Sequence, residues 1–217
     1  MTGTISGSVT KDDVAAVNVP QFHPPQENLI DYVSGRVGNG WELVIDTHLS
    51  LCAECRAEVI RLKALGGALL EKLPSEDLPD GMEERILDLL DSAEITTFPG
   101  SKCEHSADLP LPVAHLLPDN LDEIEWCATS VEGTTSVDLP SQSVRMLLLR
   151  ICTGETIFIG HDLHQAGQLL VLSGGLESTN EHLLAGDLKP LSELREVFYA
   201  GGSSALTFCL LFIQDGT

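Results

Sequence analysis

Residues 48–55 read His48-Leu49-Ser50-Leu51-Cys52-Ala53-Glu54-Cys55. His48 stands four positions before Cys52, and Cys52 three before Cys55. Those offsets gather side chains on one face of a helix, or at a corner between two helices. Thiolates and an imidazole at this spacing form the donor set of tetrahedral zinc. A closed site needs a fourth ligand. His23 is the only histidine upstream of His48. It precedes Pro24-Pro25 and the first helical pattern, and a short helical hairpin would return it to the cysteine pair. Asp31, Asp46 and Glu54 are weaker substitutes. Four protein ligands leave no open position for water or substrate, so the expected ion is structural. The competing readings are two small core cysteines beside a surface histidine, and a redox Cys-x-x-Cys, against which stands the lack of a preceding strand in a βαβ context.

On either side of the motif the pattern is helical. From about Pro25, Leu29, Ile30 and Val33 share a face, and Gly38 with Gly40 marks a break. A second short helix is expected from Trp41 to about Leu49. Ser50 is expected to cap a longer one reaching about Lys72, with Leu51, Val59, Leu62, Leu65 and Leu69 as its apolar residues and Gly66-Gly67 as a weak point. Residues 74–81, rich in proline and acid, read as a loop or hinge. Residues 82–90, MEERILDLL, make a fourth short helix with Ile86, Leu87 and Leu90 in one stripe. An apolar face on so short a helix needs cover, from its own bundle or from a partner. Residues 1–20 read as a flexible leader.

After about residue 94 strands replace helices. Candidates are 94–98, 124–129, 144–152, 169–173, 194–199 and 205–213, separated by clusters of Gly, Pro, Ser, Asp and Asn. Without helical interruption they imply an antiparallel sandwich or barrel. The fold class is therefore two-domain: an all-α zinc-binding bundle of about four helices at 21–93, and an all-β domain at 94–217. Cys152 and Cys209 read as core residues of strands, and Cys127 is ambiguous. Cys103 and His105 would share a side if extended.

Composition narrows the function. The chain carries 33 Asp and Glu against 12 Lys and Arg, a formal charge of -21. Such a charge repels nucleic-acid phosphates and anionic lipid, so no direct DNA binding is expected, and a basic protein partner suits it better. No run of 18 apolar residues and no secretory signal is present. The expected location is the cytoplasm, without membrane attachment and with cysteines reduced. No glycine-rich phosphate loop, nucleophile elbow or triad spacing points to an enzyme.

The segment from His23 to Arg56, with FHPPQENLIDYVSG and THLSLCAECRAEV, resembles the zinc-binding anti-sigma domain of bacteria, in which a histidine and a helix precede His-x3-Cys-x2-Cys. The whole chain resembles the ChrR family of anti-sigma factors, where this domain is joined to a cupin, a double-sheet β barrel. The resemblance implies a cytoplasmic regulator, acting in transcription and stress response, that binds an extracytoplasmic-function sigma factor and occludes its contacts with RNA polymerase. It places the zinc ligands on His23, His48, Cys52 and Cys55. It places the family's fourth helix on Met82, Glu83, Ile86, Leu87 and Leu90, as a sigma-binding element. In the cupin half, with the register set by QLLVLSGG, the family's metal ligands fall on Asp162, His164, Gln168 and near Phe198. One ligand of four is kept, so a second metal is not expected there. The strand half is then a signal sensor with altered ligands, or a structural lid or dimerisation unit. The alternative function is a metal-dependent cupin enzyme acting on a small molecule.

Overall fold

The computed structural model describes residues 19–75, 77, 79–92, 109–118, 120–129, 133–141, 144–158, 167–191, 197–201 and 206–213. Helices come first: α1 (Gln26–Val33), α2 (Asn39–Leu51), α3 (Ala53–Leu70) and α4 (Met82–Ser92). A single-turn α5 (Leu111–Ala114) follows, which no periodicity announces. Ten strands complete the described chain: β1 (Cys127–Ala128), β2 (Thr134–Leu139), β3 (Arg145–Cys152), β4 (Thr156–Phe158), β5 (Gly167–Ser173), β6 (Gly175–Glu177), β7 (His182–Leu184), β8 (Leu188–Pro190), β9 (Val197–Gly201) and β10 (Leu206–Ile213).

The strands form two antiparallel sheets. One has the order β1-β2-β3-β10-β5-β8 and the other β4-β9-β6-β7. Three long strands of the first sheet read as nearly unbroken apolar runs, MLLLRIC, QLLVLS and LTFCLLFI. A sheet with one wet face would alternate. Here alternate residues enter two different cores. Leu149, Ile151, Leu169, Val171, Cys209 and Leu211 pack with Leu176, Leu183, Phe198 and Ala200 of the smaller sheet. Met146, Leu148, Leu170, Leu172, Leu210 and Phe212 pack on the opposite face with Val44 of α2 and Val113 of α5, and with the half-buried Trp41 beside them. The six-stranded sheet is thus covered by strands on one side and by helices on the other. Burying each such side chain contributes about 1.5–3 kcal/mol.

The helical and strand-built halves therefore share a core through α2. Trp41 lies on Phe212 with ring centroids 5.2 Å apart. The backbone approaches closely at Gly40, where an added Cβ would fall well inside contact distance of Val144 and Phe212 side chains. Alanine at Gly40 gains about 1 kcal/mol of helix propensity but is opposed by about 1–3 kcal/mol of overpacking. Gly40→Ala is expected to lower the urea midpoint with an unchanged slope. A raised midpoint would show that α2 does not rest on the sheet here.

Several expectations need correction. Ser50 is not the cap of α3. Cys52, in an extended conformation, holds that place and its Sγ accepts from the Cys55 amide at 3.4 Å. The Gly66-Gly67 pair does not break α3. Leu65 and Leu69, read as part of the body of that helix, are 60% and 59% exposed, because α3 runs beyond the small core beneath it. Cys152 is exposed at the end of β3, whereas Cys209 is buried. Strands β2, β4, β6, β7 and β8 were not expected. The last four have three residues each, too few for a period-2 signal. The strand expected at 94–98 and the pair Cys103 and His105 lie outside the described residues.

Candidate metal centre

The four residues singled out by spacing meet at one point. His23 lies in the extended segment before α1, His48 in the last turn of α2, Cys52 at the corner between α2 and α3, and Cys55 in the first turn of α3. One donor atom from each lies within 4.8 Å of the other three. Two contacts hold the corner. Arg56 donates from Nη1 to the carbonyls of Leu49 at 2.5 Å and Ser50 at 3.1 Å, satisfying the C-terminal end of α2. Tyr32 of α1 donates its hydroxyl to Asp46 of α2. Asp46 is not among the clustered donors, and Glu54 stands 4.0 Å outside His23 Nε2, on the solvent side.

Three observations test whether these residues fit a zinc ion. His23 Nδ1 lies 3.5 Å from Cys52 Sγ and 3.4 Å from Cys55 Sγ. Tetrahedral bonds of about 2.3 Å to sulfur and 2.0–2.1 Å to nitrogen separate N and S by about 3.5 Å. Second, His48 is fully buried, its Nδ1 lies 2.7 Å from the Gly186 carbonyl oxygen, and its Nε2 has no hydrogen-bond partner among the described residues. A carbonyl only accepts, so Nδ1 carries the proton and the Nε2 lone pair is free for a metal. Third, burial lowers the His48 pKa to about 4, opposed by the bond to Gly186 and reinforced by His23, so the ring is neutral, as a ligand must be. The residues present fit the ion.

The cysteines set the cost of assembling the site. Burial first, and Cys52 beside it second, push the Cys55 thiol up to about 12. Without a cation the thiol keeps its proton. A divalent ion must displace it, so binding releases protons and acid opposes binding.

The other expected residues fare differently. Asp162 and His164 lie outside the described residues. Gln168 is half-buried on β5, opposite Pro190 and Phe212. Phe198 is 1% exposed in the inter-sheet core. On α4 every described side chain from Met82 to Asp91 is exposed, including Glu83, Ile86, Leu87 and Leu90. On α3, Ile60, Leu65, Leu69 and Leu70 are also uncovered, between 59% and 68% exposed. Sequence reading missed this extension of the apolar surface, and it missed Gly186. No described helix is long and apolar enough to cross a membrane.

No protein-family model matches the chain. It is 28% identical over 169 residues to the anti-sigma-E factor ChrR of Cereibacter sphaeroides, covering 78% of each chain. Its structure matches a chain of the crystal structure of Rhodobacter sphaeroides SigE in complex with the anti-sigma ChrR, with a TM-score of 0.72 and 26% identity over 90% of this chain and 100% of that one. A sugar phosphate isomerase of the cupin superfamily from Silicibacter pomeroyi matches 45% of this chain and 74% of its own at 16% identity and a TM-score of 0.35, too remote to bear on activity. In both its helical and its strand-built half, this chain is a relative of the anti-sigma factor ChrR.

Proposed function

We propose that this chain is an anti-sigma factor that binds and inhibits an extracytoplasmic-function sigma factor. The observation that carries the reading is the uncovered apolar surface of α3 and α4. Ile60, Leu65, Leu69 and Leu70 on α3, Leu73 just beyond it, and Met82, Ile86, Leu87 and Leu90 on α4 are all at least 39% exposed. Exposed apolar side chains in such number mark a protein-binding site, and α4, with Ile86, Leu87 and Leu90 exposed along one stripe, is the kind of amphipathic helix that docks into an apolar groove. Glu83, Glu84, Asp88 and Asp91 are exposed beside the stripe and suit a basic partner. The relative crystallised with SigE supplies the class of that partner. Occlusion of the sigma factor's polymerase contacts would be the means of inhibition.

The scaffold for that surface would be stapled by one structural zinc ion on His23, His48, Cys52 and Cys55. Among the described residues, Leu29, Ile45, Leu49, Cys52, Cys55 and Val59 are buried in one cluster beneath the helices, a small core for a helical unit. The ion would supply cohesion, and the chain's own residues would present the docking face. The division of labour proposed is a zinc-binding anti-sigma domain at 21–93 and a cupin-like domain at 94–217 that senses a signal. The protein would be cytoplasmic, would not bind DNA directly and would catalyse no reaction. Phe198 offers no donor where the family has its late histidine, and nothing at Gln168 favours the enzyme alternative.

The test is a calorimetric titration of the full chain, and of residues 20–92, with extracytoplasmic-function sigma factors of its own organism, zinc being present throughout. Both are expected to bind at micromolar concentration or tighter. Because separation exposes Val44, 1% exposed in the full chain, the fragment should also unfold at lower temperature. A folded, zinc-loaded fragment that fails to bind while the full chain binds would refute the division of labour. Failure of both would refute the function.

A further inference from the structure

One turn of the strand-built half reaches both histidines of the metal centre. Residues 185–187 link β7 to β8. The Gly186 amide donates to the Val171 carbonyl at 2.8 Å, and the Asp187 carbonyl accepts from the Val171 amide at 3.0 Å, so β5 fixes the turn. Gly186 has φ +98, and an added Cβ would fall well inside contact distance of Pro20 and close to Leu51. Glycine alone permits both the conformation and the approach. From there its carbonyl accepts from His48 Nδ1 at 2.7 Å.

Asp187 does the same for His23, through the backbone that carries it. Its carboxylate is fully buried. Oδ1 accepts from the amides of Gln21 at 2.5 Å and Phe22 at 2.8 Å, and Oδ2 from that of Leu184 at 2.7 Å. The Leu188 amide donates to the Phe22 carbonyl at 3.0 Å. Phe22 packs against the inter-sheet core with Lys189 Nζ 4.6 Å from its ring centre, and Lys189 donates to Glu181. The segment 20–23 is thus strapped to the strand half immediately before His23.

We propose that the Gly186–Asp187 turn is the outer support of the metal centre, so that ion binding and the docking of the two halves form one linked equilibrium. The inference rests on the reading of His23, His48, Cys52 and Cys55 as zinc ligands. Groups that orient metal-bound imidazoles strengthen metal binding, and linkage makes the effect reciprocal. A signal that displaces this turn would loosen the ion. Loss of the ion would loosen the hold of the turn on the strap and on His48. The turn is the physical route by which the strand half can act on the helical half.

The experiment uses the full zinc-loaded chain and compares wild type, Asp187→Asn and Leu139→Ala. Asparagine keeps the shape but turns an NH2 toward an amide that needs an acceptor. Leu139 is buried in β2, toward the other edge of the sheet, and controls for general destabilisation. Zinc transfer to a chromogenic chelator is expected to be about 10–100-fold faster in Asp187→Asn and at the wild-type rate in Leu139→Ala. The visible bands of the cobalt-substituted Asp187→Asn protein should shift. In wild type, stripping the metal should raise amide exchange in residues 19–24 and 182–190. Wild-type release and unshifted bands in folded Asp187→Asn would overturn the proposal, as would equally fast release from Leu139→Ala. If Asp187→Asn does not fold, unchanged wild-type exchange at 182–190 on metal removal overturns it. A wild-type chain that binds no zinc overturns the metal reading itself, and the proposal with it.

Discussion

Replacing Cys52 and Cys55 together by serine is expected to empty the chain of tightly held zinc and to abolish sigma-factor binding. Serine keeps the size of cysteine but offers a hydroxyl that does not ionise at neutral pH and binds zinc poorly. The two imidazoles left behind cannot hold the ion alone. Its contribution is large because structural zinc sites supply about 10–16 kcal/mol of apparent binding energy that is also folding energy. The core it reinforces has six buried members among the described residues, and two of them are the cysteines themselves. Leu29, Ile45, Leu49 and Val59 would remain, contributing about 1.5–3 kcal/mol each. That sum does not replace the ion, so α1 and α3 should lose their fixed relation at Cys52. Val44 and Trp41 keep α2 against the sheet, so the strand half should stay folded. Elemental analysis should fall from about one zinc per chain to a trace, and helical circular dichroism should decrease while the sheet unfolds at its former temperature. Unchanged zinc content in the double variant would sink the assignment of these ligands.

Three members of the donor cluster are legible in the sequence because they are local. His48, Cys52 and Cys55 fall within eight residues of chain, and the corner between α2 and α3, with Cys52 extended, brings them together. His23 was found by elimination, as the sole histidine upstream. The contact to Gly186 could not be found this way, since it spans 138 positions and its residues, Ala185-Gly186-Asp187, carry no signal beyond that of a turn. The capping of α3 by Cys52 was obscured for another reason. Ser50 is the stronger cap by residue type, but its hydroxyl is spent on the Thr47 carbonyl at 2.6 Å, inside the turn that ends α2. Of the sheets, the long strands β3, β5 and β10 were legible from length and apolar content. Their unbroken runs also held the information that both faces are buried. What covers the second face is a helix some hundred residues earlier, and no periodicity encodes that pairing. The three-residue strands exist because neighbours in the sheet offer hydrogen bonds, a tertiary cause that local propensity does not carry.

Aspartate at both Ile86 and Leu90 is expected to weaken sigma-factor binding by about 100-fold or more, the scale of two apolar hot-spot residues. The chain's own fold should be untouched. Every described side chain of α4 from Met82 to Asp91 is exposed, so neither substitution removes packing. Zinc content and the unfolding temperature of the free chain should therefore match wild type, which separates docking from stability. An 11-residue helix is marginal alone, and a groove in the partner would order it. Its acidic residues act on a different quantity. Glu83→Lys with Asp88→Lys should mainly slow association and weaken its dependence on salt, because charges at a rim steer encounter more than they hold the complex. The companion variant is Leu65→Asp with Leu69→Asp on the exposed half of α3. If both apolar pairs lower affinity, the docking face runs across the two helices. Loss from the α3 pair alone would confine it to α3, and wild-type affinity in both would place the sigma-binding surface elsewhere on the chain.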